Sequence, residues 1–136
     1  MKTWVAMYGI IWLAFLEIML ILFLPFDYTV NLVIHSLIGL VILGFAYYIY
    51  RKVRITRCPE RIKRITQTTW GLAVFEAVLG VALAIGIAFS WGNLYATVIS
   101  FLHVGNALAI ITQASSSATA FDMWEEKEFE VVVQRA

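Results

Sequence analysis

Four apolar stretches, each about as long as a bilayer's hydrocarbon is thick, dominate this sequence: Trp4 to Leu24, Val30 to Tyr50, Trp70 to Phe89 and Leu94 to about Ala114. A helix needs about 20 mostly apolar residues to cross roughly 30 Å of hydrocarbon. A soluble domain of 136 residues has no interior for a chain that is 62% hydrophobic, so the bilayer is the expected solvent. The expected fold is all-α: an integral-membrane four-helix bundle over residues 1–120, antiparallel and up-down, with an acidic tail over residues 121–136. The first stretch follows Lys2 and ends in Pro25 and Asp27 with no small-residue cleavage pattern, so it reads as a retained span.

Charge distribution sets the expected orientation. Seven of the ten basic residues fall in "RKVRITRCPERIKR": Arg51, Lys52, Arg54, Arg57, Arg61, Lys63 and Arg64, against the single acid Glu60. The positive-inside rule makes the loop 51–64 cytoplasmic, and four spans then put both termini on the same side of the plasma membrane. A net charge of +1 gives no footing for a nucleic-acid partner. Trp4, Trp70, Trp91 and Trp124 fall near span ends, where interfacial aromatics belong. The single cysteine, Cys58, excludes a disulfide within the chain and reads as a loop residue ahead of a turn proline. The stretch from Asp122 to Ala136 reads as a solvated extension of the fourth helix.

The polar residues inside the spans carry the chemistry. His35 lies eight residues past Asp27 and His103 ten past Asn93. At 1.5 Å per residue these depths are roughly 12 and 15 Å, so the two imidazoles are nearly level. Two level histidines on the second and fourth helices of a bundle are placed to grip a heme iron from both faces. Gly39 and Ala107, four residues after each histidine, are small enough for a porphyrin to lie near the backbone. Ser100 and Asn106 flank His103 by three residues and are candidates to hold the ring nitrogen turned away from iron. The alternative is that the histidines bond each other or serve a proton path.

Glu17, roughly 12 Å from the outer end, is level with both histidines and is a candidate to orient an imidazole. Glu76 lies fifteen residues before Trp91, about 22 Å down, and is expected out of reach, bonded to a neighbouring helix. Gly80, Ala84 and Ala88 read as a close-packing seam. An acid-bearing helix followed by a histidine-bearing helix occurs twice, with spacings of 18 and 27 residues.

The segments "IHSLIGLVILGFAYYIYRKVR", "FEAVLGVALAI" and "LHVGNALAIITQA", with a basic loop and a short outer turn between them, resemble one four-helix half of the heme A synthase family over about Asn31 to Ala114. That family has two such halves, each with a histidine on its second and fourth helix. The resemblance implies that His35 and His103 are axial heme ligands. The family's catalytic half carries an acid shortly before its helix-two histidine and a cysteine pair in a long outer loop. Here Asn31, Leu32, Val33 and Ile34 precede His35, and the loop around "PFDYT" is minimal. The implied counterpart is therefore the half that holds heme b as a cofactor.

The leading expectation is a membrane cytochrome b-type protein binding one heme b through His35 and His103, with Gly39, Ala107 and Glu17 around it, transferring electrons to a redox or oxidase partner. Iron with both axial positions taken has no open site for oxygen chemistry. Three alternatives stand beside it: a compact homodimeric heme A synthase-like enzyme hydroxylating heme o, a heme carrier or oxidase-assembly subunit, and a heme-free proton-conducting or structural bundle.

Overall fold

The computed structural model describes residues 3–23 and 27–134, with residues 21, 22, 28 and 128–134 as backbone only. Lys2, Leu24, Pro25 and the last two residues of the tail lie outside the described residues. Four helices account for nearly all of it: α1 (Thr3–Phe23), α2 (Tyr28–Ile55), α3 (Glu60–Ala88) and α4 (Asn93–Gln134). Among the described residues there is no strand, and all four helices are long and apolar enough to cross a membrane.

The apolar spans understate the helices. Residues 51–64, expected as a loop, are mostly helix: α2 runs on to Ile55 and α3 starts at Glu60, leaving four residues between. Arginine and lysine are good helix formers, so a helix need not stop where its hydrophobicity does. Helix α2 ends at Ile55 with Thr56 as its C-cap; Pro59, with its fixed φ, is the N-cap of α3, and Glu60 in the first turn suits the positive end of that helix. Asp27 caps α2 by accepting from the Thr29 amide at 3.0 Å. The turn after α3 takes two left-handed residues, Ser90 at φ 55° and Gly92 at φ 93°. Helix α4 has 42 residues, about 63 Å, roughly twice the hydrocarbon thickness, and carries the acidic tail as continuous helix.

Each helix packs against its chain neighbours, and α1 packs against α4, so α2 and α4 occupy opposite corners. The fully buried positions repeat at helical spacing: Ala6, Met7, Ile10 and Ala14 on α1, Ile42, Ala46, Ile49 and Val53 on α2, Ile110, Ala114 and Phe121 on α4. They all lie in the half of the bundle that ends at the α2–α3 turn. In the other half only Leu79 and Gly86 of α3 are buried among the described residues. There the inward stripe of α2, Asn31, Ile34, His35 and Ile38, is only half-buried.

Ala84 and Ala88, expected in a packing seam, are exposed, while Gly80 is half-buried. Residues four apart rotate by about 40° per step, so a strict i+4 series leaves the interior within two steps. The close approach of α3 and α4 is at Gly86, where the Tyr95 ring lies against the bare Cα and its hydroxyl donates to the Ala82 carbonyl at 2.8 Å.

Candidate functional site: a double glutamate–histidine pair

In the loosely packed half each helix contributes one member of an acid–imidazole cluster: Glu17 from α1, His35 from α2, Glu76 from α3 and His103 from α4. His35 Nδ1 lies 3.4 Å from Glu17 Oε1, and His103 Nδ1 lies 3.2 Å from Glu76 Oε1. The two imidazoles meet across the bundle axis with ring centroids 5.7 Å apart and planes at 77°. The level depths of His35 and His103 therefore correspond to direct ring contact between diagonal helices.

Glu76 is a correction: it sits beside His103, not a turn or more below it. Tyr95 reaches Ala82 and Gly86, and Asn106 reaches Leu72 and Glu76, so α3 and α4 pass each other in opposite senses with Asn93 near the level of Gly86. Counting from Trp91 included a turn that overhangs the start of α4. From Gly86, Glu76 is ten residues down, about 15 Å, the depth of His103.

Asn106 also has a different partner from the one expected. Its Nδ2 donates to Glu76 Oε2 at 2.7 Å and to the Leu72 carbonyl at 2.9 Å, so it clamps the carboxylate and only through it bears on the ring. Glu76 is thus hydrogen-bonded to a neighbouring helix, as expected, and backs a histidine as well. Gly39 faces the Glu17 carboxylate, where a Cβ would lie 3.9 Å from Oε1. Ala107 is half-buried on α4. Gly80 is the residue that sequence reasoning missed: a Cβ there would lie 3.5 Å from His103 Cε1. Its signal was its position one turn after Glu76, on the same face of α3.

Glu17 Oε1, His35 Nδ1 and His103 Nδ1 are buried, yet none has the geometry of a formed hydrogen bond. An unsatisfied buried polar atom costs about 1–3 kcal/mol, which marks this cluster as the costly part of the fold. The side chains of His35 and His103 remain 31% and 16% exposed.

Among the described residues no group of three or more His, Cys, Asp or Glu side chains could hold a metal ion. A metal here would be held by the two imidazoles alone. Imidazole–metal bonds of roughly 2 Å put the centres of two opposed rings about 6 Å apart, close to the observed separation. Two imidazoles with a carboxylate near the second ring nitrogen of each are the donor chemistry of a doubly ligated iron, but the rings touch as they stand, so a porphyrin would have to part them. No family model, curated protein or solved structure matches this chain.

Proposed function

We propose that this protein is a small membrane cytochrome b-type protein that binds one heme b between His35 and His103 and transfers electrons. The observation that carries the reading is the pair of imidazoles 5.7 Å apart on diagonal helices, each with a carboxylate at Nδ1. The carboxylates of Glu17 and Glu76, 3.4 and 3.2 Å from Nδ1, are placed to receive Nδ1–H once the rings turn to ligate, which would leave Nε2 of each for the iron. Asn106 fixes Glu76, and Gly80 gives the His103 ring its space. The heme, when bound, supplies a one-electron ferric–ferrous couple. Two histidines serve one doubly ligated iron per chain, which favours electron transfer over modification of a second heme. The proposed topology is an antiparallel up-down bundle in the plasma membrane with the α2–α3 turn and both termini cytoplasmic, facing a redox or oxidase partner, as monomer or homodimer.

An optical spectrum of the purified protein tests this reading. Sharp reduced bands of low-spin iron are expected. A colourless protein, after expression with ample heme, would overturn it.

Gly80 offers a graded check of the pocket. At 3.5 Å from His103 Cε1 a methyl group makes an ordinary contact, so Gly80→Ala should keep the low-spin spectrum. Gly80→Leu must displace the ring and should lose it, by the same overpacking that disturbs any close-fitted interior.

Cys58 reports the orientation. Burial pushes its thiol above the ordinary range, and its Sγ lies 3.8 Å from the Val53 carbonyl. The thiolate is the reactive form, so alkylation should be slow at neutral pH and rise with pH beyond the usual thiol range. An impermeant reagent should label Cys58 in inside-out vesicles and not in intact cells; the reverse would invert the proposed topology.

A further inference from the structure

The packed half of the bundle encloses a small cavity, with about 10 Å³ open to the centre of a water molecule. All four helices line it, among them Met7 of α1, Ala46 of α2, Thr66 and Thr69 of α3, and Ala114 and Ser117 of α4. That space is about what one water needs. A wholly apolar cavity of this size stays dry, because a water inside it gives up its hydrogen bonds. Three hydroxyl-bearing residues make this one different.

Ser117 is 1% exposed, and its Oγ has no hydrogen-bond partner. A helical serine ordinarily has one at hand in the carbonyl four residues back. Its neighbours on α4 all take that partner: Thr112 donates to the Leu108 carbonyl, Ser115 to Ile111, Ser116 to Thr112 and Thr119 to Ser115, at 2.8 to 3.1 Å. Ser117 makes no such bond to Gln113, so a buried hydroxyl proton is left over at the cavity wall.

On α3 the need is the opposite one. Thr66 donates to the Ile62 and Lys63 carbonyls, both at 3.0 Å, and Thr69 to the Ile65 carbonyl at 3.0 Å. Their oxygens keep lone pairs and have no proton left to give. No hydrogen bond joins Ser117 to either threonine directly. A donor on α4 and two acceptors on α3, around space for one small molecule, are complementary to water.

We infer that the cavity is a binding site for a single structural water, which accepts from Ser117 Oγ and donates to Thr66 Oγ1 and Thr69 Oγ1. Three bonds is the usual complement of an internal water. This one ties α3 to α4 nearer the α2–α3 turn than their direct bonds do, Tyr95 to Ala82 and Asn106 to Leu72. The inference concerns the packed half and does not rest on the heme reading.

A crystal structure of the full chain, at a resolution that shows ordered internal water, tests it directly. One water is expected within about 3.2 Å of Ser117 Oγ and of at least one threonine Oγ1. An empty cavity, or a Ser117 hydroxyl turned onto the Gln113 carbonyl, would overturn the inference. Thermal unfolding of Ser117→Ala in detergent gives an independent sign. Losing a hydroxyl that is bonded to water should lower Tm, by roughly 4 °C. An unpaired hydroxyl is better absent and alanine is the stronger helix former, so an unchanged or raised Tm would equally overturn it.

Discussion

Replacing either His35 or His103 with alanine should abolish the low-spin heme spectrum, while the helical circular dichroism of the protein persists. The packed core lies in the other half of the bundle, between Ala6 and Ala14 on α1 and around Ile110 to Phe121 on α4, and neither substitution touches it. Either change removes the 5.7 Å ring pair and one carboxylate–imidazole approach of 3.2 or 3.4 Å, and nothing of that core. With one donor of two removed the remaining imidazole holds iron from one side only, so the pigment should be lost or turn high-spin. An unchanged low-spin spectrum in either single variant would remove that residue from the ligand set and the proposed function with it.

The largest expected effect on stability is at Gly86. A Cβ there would overlap the Tyr95 ring, and the ring is pinned from its far end by the 2.8 Å bond from its hydroxyl to the Ala82 carbonyl. Moving the ring away breaks that bond, so Gly86→Ala should destabilise the α3–α4 contact by about 1–3 kcal/mol. Thermal unfolding in detergent measures it. Tyr95→Ala removes the obstacle, so adding Gly86→Ala to it should cost much less than Gly86→Ala alone; additive losses would show that the two residues do not interact.

Element type was readable from the sequence because a 20-residue apolar run admits only one backbone solution in lipid, with every amide bonded inside its own helix. Helix ends past the apolar runs were not readable. Arg51 to Arg54 and Glu60 to Arg64 continue the helices in polar surroundings where hydropathy carries no signal. The levels of His35 and His103 came out of simple counting because each was measured from the N-terminal end of its own helix, Asp27 capping α2 and Asn93 beginning α4. Glu76 was misplaced because it was measured from Trp91, which lies in the overhanging turn. The carboxylate beside His103 therefore depended on how α3 and α4 slide past each other, and that is set by the Tyr95–Gly86 and Asn106–Leu72 contacts, neither of which has a sequence signature. Gly80 is another case: one bare Cα among apolar residues, whose use is visible only when the ring it faces is in place.

The glutamate–histidine pairs are divided between the helices in a way that bears on how the chain enters the membrane. Glu17 with His35 spans the seam of the α1–α2 hairpin, and Glu76 with His103 spans that of α3–α4. The spacing within the second pair is nine residues longer because its hairpin reaches further, by six residues on α3 relative to α1 and three on α4 relative to α2, about 9 and 4.5 Å. Each hairpin thus shields its own acid with its own imidazole. If the hairpins enter a bilayer one after the other, the first would hold its carboxylate beside an imidazole before the second is made. In that order the two rings would meet only when the hairpins dock side by side.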